Sequence, residues 1–137
     1  MSDTKLDHLR RVPLFAGVRG RELEELGRLA DEIDVPDGKV LTREGESGHE
    51  FFVVLQGGVE VTVGGGTVAS LGNGDFLGEI SLIDGLPRTA TTTAVGPTRL
   101  LVIGHREFHQ LMDDFPGVKT AVLQALAERV RRIEARD

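Results

Sequence analysis

Many of the chain's 18 glycines fall between short runs rich in Val, Leu and Thr, and this punctuation constrains the fold more than any other feature. Glu32–Val35 and Lys39–Arg43 read as strands around a Pro36-Asp37-Gly38 turn. Phe51–Leu55 is a continuous apolar run, the pattern of a strand buried on both faces. Gly57-Gly58 separates it from Val59–Val63, which alternates, and Gly64-Gly65-Gly66 turns that run into Thr67–Leu71 as a hairpin. Gly72-Asn73-Gly74-Asp75 is a further turn. Arg88–Val95 alternates again, Gly96-Pro97 breaks it, and Thr98–Ile103 is one more apolar strand. Strands this short, with turns this frequent, predict a compact antiparallel barrel or jelly roll.

Helices flank the β region. Residues 3–11 predict a short helix capped by Ser2 or Asp3, and Val12-Pro13-Leu14-Phe15-Ala16 an apolar elbow. Leu23, Leu26 and Leu29 recur every three residues, one face of an amphipathic helix over 21–30. After Gly104, His105–Met112 reads as a helix, and Pro116 suits the first position of a last one. Asp113 and Asp114 before it, and Arg129, Arg131, Arg132 and Arg136 at its far end, complement its dipole.

A chain of 137 residues with 39% hydrophobic side chains fits one domain and one core, filled by aliphatic groups because only 4% are aromatic. The formal net charge of -6 disfavours direct binding of nucleic acid. The absence of cysteine excludes disulfides, thiol catalysis and Cys-ligated zinc. No apolar run approaches membrane-spanning length and the first residues have no secretory pattern, so a cytoplasmic protein without membrane contact is expected.

Chemistry concentrates in residues 76–91, where Glu79 precedes Arg88 across a short apolar segment of helical character closed by Gly85 and Pro87. Helix-terminal N–H groups receive anions, an arginine fork matches phosphate oxygens, and a carboxylate accepts from a sugar hydroxyl. That combination suits a small phosphorylated ribonucleotide better than it suits a surface loop.

Phe76, Gly78-Glu79-Ile80-Ser81-Leu82 and Pro87-Arg88-Thr89-Ala90-Thr91 resemble the phosphate-binding cassette of the cyclic nucleotide-binding domain family. Val12-Pro13-Leu14-Phe15 resembles that family's N-terminal elbow, and Glu44-Gly45-Glu46-Ser47-Gly48 with Phe51-Phe52-Val53-Val54 and Gly57 its central strands. His49 departs from the pattern, standing where the family often has an acidic residue. The resemblance implies a mainly β α+β fold: an eight-stranded antiparallel jelly-roll barrel with N-terminal helices, a cassette helix and two C-terminal helices. It divides a single domain, 1–137, into a helical segment (1–31), a β-roll (32–103) holding the cassette (76–91), and hinge and lid helices (105–137).

It also implies roles. Arg88 would pair with the exocyclic phosphate, Glu79 would hold the ribose 2′-hydroxyl, and Gly78 would admit the backbone close to the sugar. The N–H groups of Ile80 and Ser81 would face phosphate, and Thr89 would donate to phosphate or purine. Leu71, Phe76, Val61 and Ala90 would wall the base. The last helix acts as a lid over the purine in this family, which makes Arg129 and Arg132 candidates to stack on it; a solvated basic helix end is the other reading. The expected ligand is a cyclic purine nucleotide, cAMP in preference to cGMP, with no enzymatic activity, cofactor or metal. The expected partners are an effector protein or domain and a second copy through the last helix, where Leu123, Leu126, Val130 and Ile133 form an apolar stripe. That stripe could equally pack on its own barrel. Because Asp137 follows the lid with no helix-turn-helix segment, the output is expected to pass to a partner, or the chain is one domain of a longer protein.

Other readings compete with this one. Glu79 and Arg88 could form a structural ion pair in a ligand-free jelly roll that serves as an interaction module. His105 and His109, four apart, have metal-binding spacing but lack the H-E-x-x-H pattern and a third ligand in sequence. Cupin enzymes share the strand pattern, but no strand here carries a His-x-His pair. Glu24-Glu25 suits a solvated helix face, and Gly64-Gly65-Gly66 lacks the Lys-Ser/Thr of a phosphate loop.

Overall fold

The computed structural model describes residues 4–135, so the expected cap at Ser2 or Asp3 and the charge of Arg136 lie outside the described residues. Helix α1 is Thr4–Arg10. A 3₁₀ turn at Pro13–Phe15 forms the elbow, with Val12 held extended (φ -80°, ψ 118°), the conformation a following proline enforces. Helix α2, Arg21–Leu29, buries Leu23 and Leu26 along one face.

The chain then enters a six-stranded antiparallel sheet: β1 (Ala30–Val35), β2 (Val40–Thr42), β3 (Glu50–Val63), β4 (Gly66–Leu71), β5 (Phe76–Leu77) and β6 (Thr91–Gly104). Strand order is β1-β6-β3-β4, with β2 also on β6 and β5 also on β3. Helix α3, Glu79–Asp84, lies between β5 and β6. Helices α4 (His105–Asp114) and α5 (Pro116–Glu134) follow, with Pro116 at the start of α5. Asp113 and Asp114 precede α5, as expected, and also complete the last turn of α4.

Among the described residues six strands replace the expected eight. Runs 51–55 and 59–63 are one strand, and so are the two runs on either side of Gly96-Pro97. The glycines bend these strands without ending them. The β3–β6 register slips between Val54 and Gln56 and again between Gln56 and Gly58, while Gly57 (φ 111°) absorbs the bend opposite Pro97 and Thr98. Arg88–Ala90, expected at the head of this strand, precede it, because Arg88 is engaged by the loop before β3.

The apolar run Phe51–Val54 is buried on both faces, as its composition predicts. Phe51 and Val53 enter one hydrophobic cluster with the helices, and Phe52 and Val54 enter a second with Val35, Val59, Leu77 and Leu100. Alternate residues of a strand point to opposite faces, so one run can serve two cores. Phe108 of α4 sits 5.1 Å from Phe51, and Val118 and Val122 of α5 join the same cluster as Phe15 and Leu82. Thus the elbow, the cassette helix and the two last helices share one core. No helix among the described residues is long and apolar enough to cross a membrane.

Candidate functional site

Arg88 is held through both its backbone and its side chain. Its N–H donates to the Glu46 carbonyl and its carbonyl accepts from Gly45 N–H, both at 2.8 Å, so the backbone is clamped to the loop between β2 and β3. Its guanidinium then threads past Gly48. Nη1 donates to the Gly78 carbonyl (2.9 Å) and to Ser81 Oγ (2.8 Å), and Nη2 donates to the Glu50 carbonyl (2.8 Å). A Cβ on Gly48 would lie 1.7 Å from Arg88 Nε, so glycine is a steric requirement there. Gly78, at φ 93°, combines a left-handed turn with a tight approach: a Cβ would come within 2.6 Å of the Glu50 carbonyl oxygen.

Arg88 is 6% exposed and Glu79 2%. They are not hydrogen-bonded to each other. Glu79 Oε1 instead accepts from Arg129 Nη1 at 2.8 Å, across 50 residues of sequence, and Arg129 Nη2 donates to the Phe76 carbonyl at 3.2 Å. The Arg129 guanidinium also lies 5.0 Å from the Phe76 ring centroid, within cation–π range. Arg129 is therefore not a solvated helix end; it ties α5 to the cassette. Arg132 stays near its own helix, with Nε donating to the Glu128 carbonyl at 3.5 Å.

Glu79 Oε2 is buried and has no hydrogen-bond partner. Burial raises the Glu79 carboxyl above its ordinary value, against the opposing pull of its own backbone N–H and of the Arg129 and Arg88 charges. Burial also lowers the Arg88 guanidinium, opposed by Glu50 and Glu79, but an arginine starts so high that it keeps its charge.

These groups line one cavity of about 750 Å³, within the range of small-molecule sites. Every residue singled out in the sequence for ligand contact lines it: Gly78, Glu79, Ile80, Ser81, Arg88, Thr89 and Ala90 on the cassette side, and Val61, Leu71 and Phe76 on the strands. Arg129 and Arg132 line it from α5. Sequence reasoning missed Thr42 and Thr92, which share a 2.7 Å hydroxyl hydrogen bond at the wall, and Ala125 and Glu128 on α5. It also missed Gly48 as the slot for Arg88; the glycine stood in the matched segment, but nothing local linked it to a side chain 40 positions later.

Three of the four histidines group elsewhere. His105 and His109 rings lie 4.8 Å apart, and His49 edges onto His105 at 6.3 Å. Among the described residues no three His, Asp or Glu side chains are placed to hold a metal ion.

The model of the family described as "Cyclic nucleotide-binding domain" matches residues 32–115. A cAMP-dependent protein kinase regulatory subunit of Yarrowia lipolytica is 35% identical over 106 residues, which is 76% of this chain and 28% of that protein. The crystal structure of the Thermus thermophilus catabolite activator protein superposes with a TM-score of 0.80 at 30% identity, covering 90% of this chain and 61% of that one. The N-terminal domain of a transcriptional regulator from Streptomyces coelicolor A3(2) covers 94% of both chains at 35% identity, with a TM-score of 0.69. The chain thus spans less than a third of the kinase subunit and under two thirds of the activator. The family match takes in more than half of the sequence, including both residues that meet at the cavity, Glu79 and Arg88: this chain belongs to the cyclic nucleotide-binding domain family.

Proposed function

We propose that the chain is a non-enzymatic sensor domain for a cyclic purine nucleotide, cAMP in preference to cGMP, whose binding is read out through α4 and α5. The observation that carries this reading is the unpartnered, buried Glu79 Oε2 in the same cavity as the buried Arg88. An orphaned acceptor of this kind is costly, and a ribose 2′-hydroxyl would supply the missing donor. Arg88 would meet the phosphodiester charge with the guanidinium hydrogens not used by Gly78, Ser81 and Glu50, aided by the Ile80 and Ser81 amides. Thr89 would donate to phosphate or base, and Val61, Leu71, Phe76 and Ala90 would wall the purine. The preference for cAMP rests on the names of relatives such as the Yarrowia lipolytica kinase subunit.

In this reading the whole chain is one domain, and the two bent strands give the six-stranded sheet the eight arms of a jelly roll. Ligand would draw the cassette inward. Leu82 shares a core with Phe108 and Leu111, so cassette movement would be felt by α4 and then by α5. The ligand can shift that equilibrium only by its preference for one state. The output would go to an effector protein or domain in the cytoplasm. Leu123 and Val130, seven apart on α5 and 54% and 51% exposed, favour a second copy packed along that helix.

Calorimetric titration with cAMP, cGMP and 2′-deoxy-cAMP tests the reading. Arg88→Ala should weaken cAMP binding by ~1.5–3 kcal/mol, the worth of a charged hydrogen bond. Equal affinity in both proteins would refute the assignment. No heat with either nucleotide, together with no rise in melting temperature, would favour the ligand-free interaction module.

A further inference from the structure

A second cavity, of about 480 Å³, shares Gly74 with the first but is lined from the end of α1, the elbow and the middle of β3 and β6, beside their bends. We propose that it is a second ligand site, for a small organic anion: a phosphomonoester or carboxylate carried on an apolar body.

Among the described residues its lining holds His8, Arg11 and Arg99 and no carboxylate. Glu32 and Asp34 stand behind it, already engaged: His8 Nδ1 bonds Glu32 Oε1, and Arg99 reaches Asp34 through Nε (2.8 Å) and Nη2 (3.4 Å). Among the described residues Arg99 Nη1 therefore keeps its hydrogens, and the exposed Arg11 guanidinium makes no hydrogen bond or ion pair. Asn73 spends its Oδ1 on Gly57 N–H (3.1 Å), which orients its NH₂ as a further free donor. An excess of unspent donors over acceptors recognises an oxyanion. Pro13 and Leu55 give the same cavity an apolar side, which a bare ion would not need, while Val12 and Val54 are buried in the cores beneath it. Its volume suits a small molecule.

The two cavities are joined by one short turn. Val54 N–H donates to the Asp75 carbonyl (2.8 Å), and Gly74 N–H donates to the Val54 carbonyl (2.7 Å). Pro13 packs so close to Gly74 that a Cβ there would lie 2.9 Å from its Cδ. The next residue but one, Phe76, receives Arg129 and lines the first cavity. A ligand wedged against Pro13 thus bears on the turn that presents Phe76. Coupling to the nucleotide rests on the function proposed above; the existence of the second site does not.

Amide-resolved NMR titration with phenyl phosphate tests it, run on the Arg88→Ala protein so that the first cavity cannot capture the probe. Saturable shifts are expected at the Asn73 side-chain amide and at Val54 and Gly74. Arg11→Gln, an exposed change that leaves the core intact, should weaken them about tenfold or more, and inorganic phosphate should bind far more weakly than phenyl phosphate. Absent or non-saturating shifts, no effect of Arg11→Gln, or equal binding of inorganic phosphate would each overturn the site. In the wild-type protein, saturating phenyl phosphate should change cAMP affinity, and the change should vanish in Arg11→Gln; unchanged affinity overturns the coupling. Failure of the wild type to bind cAMP, with the phenyl phosphate shifts intact, would refute the nucleotide reading alone.

Discussion

Arg88 and Glu79 are the buried charged side chains of the first cavity, and Arg88 depends on a neighbour with no chemistry of its own. Arg88 reaches its place only because Gly48 has no side chain. Gly48 does not have a positive φ, so alanine is sterically excluded by Arg88 and not by its own backbone. Gly48→Ala is therefore expected to cost about as much cAMP affinity as Arg88→Ala, roughly tenfold or more; calorimetry showing wild-type affinity would contradict the slot. Glu79 makes a pH prediction. Its folded carboxyl is raised above the ordinary 4.5, so the folded state holds the proton more tightly than the unfolded chain. Its contribution to stability is complete below the unfolded value and is lost as pH rises through the folded one. In ligand-free protein, the stability of wild type relative to Glu79→Gln should fall as pH rises from about 4.5. Chemical denaturation at several pH values would read this as a slope, and a flat difference would show that Glu79 does not titrate abnormally.

At the scale of the element, alternation along β3 and β6 lets two long strands serve two cores, and the bend in β3 is held at Gly57. Gly57 sits at φ 111°, where an added Cβ would meet Thr98 Oγ1 at 2.6 Å and the Pro97 carbonyl at 2.8 Å. Gly57→Ala combines backbone strain with a backbone clash and should destabilise the fold by about 1–3 kcal/mol. A denaturation midpoint equal to wild type would mean that the bend is not sterically held. Much of this level was legible from sequence. The helices, the elbow and most strands stand within a few residues of where periodicity and turn formers put them. The strand count was not, because a glycine pair that bends a strand and one that ends it look alike until the partner strand is known; here Gly57 finds Pro97 and Thr98 opposite and the ladder resumes.

For the whole molecule, the decisive contact is the one that joins α5 to the cassette. Arg129 and Glu79 are 50 residues apart and 2.8 Å from each other. A double-mutant cycle with Glu79→Gln and Arg129→Ala, followed by cAMP affinity, should be non-additive by about 0.5–3 kcal/mol. Additive losses would separate α5 from the cassette. The shared core predicts a second long-range effect. Phe108 is fully buried against Phe51 and joins the helices to the sheet, so Phe108→Ala should destabilise the protein by about 3–5 kcal/mol. A smaller loss with an unchanged denaturant slope would mean that α4 is not part of the cooperative unit.

By itself the sequence determined the local chemistry: which runs become strands, which stretches become helices, and that Glu79, Arg88 and a glycine before them form one motif. Those features follow from side-chain periodicity and backbone preference, which act over a few residues. Only the tertiary structure decided that Arg129 takes one oxygen of Glu79 and leaves the other without a donor, that Gly48 makes room for Arg88, and that Gly74 stands between two cavities. Each is a contact between segments far apart in the chain, set by how helices and bent strands pack round common cores, and neither composition nor spacing carries that information.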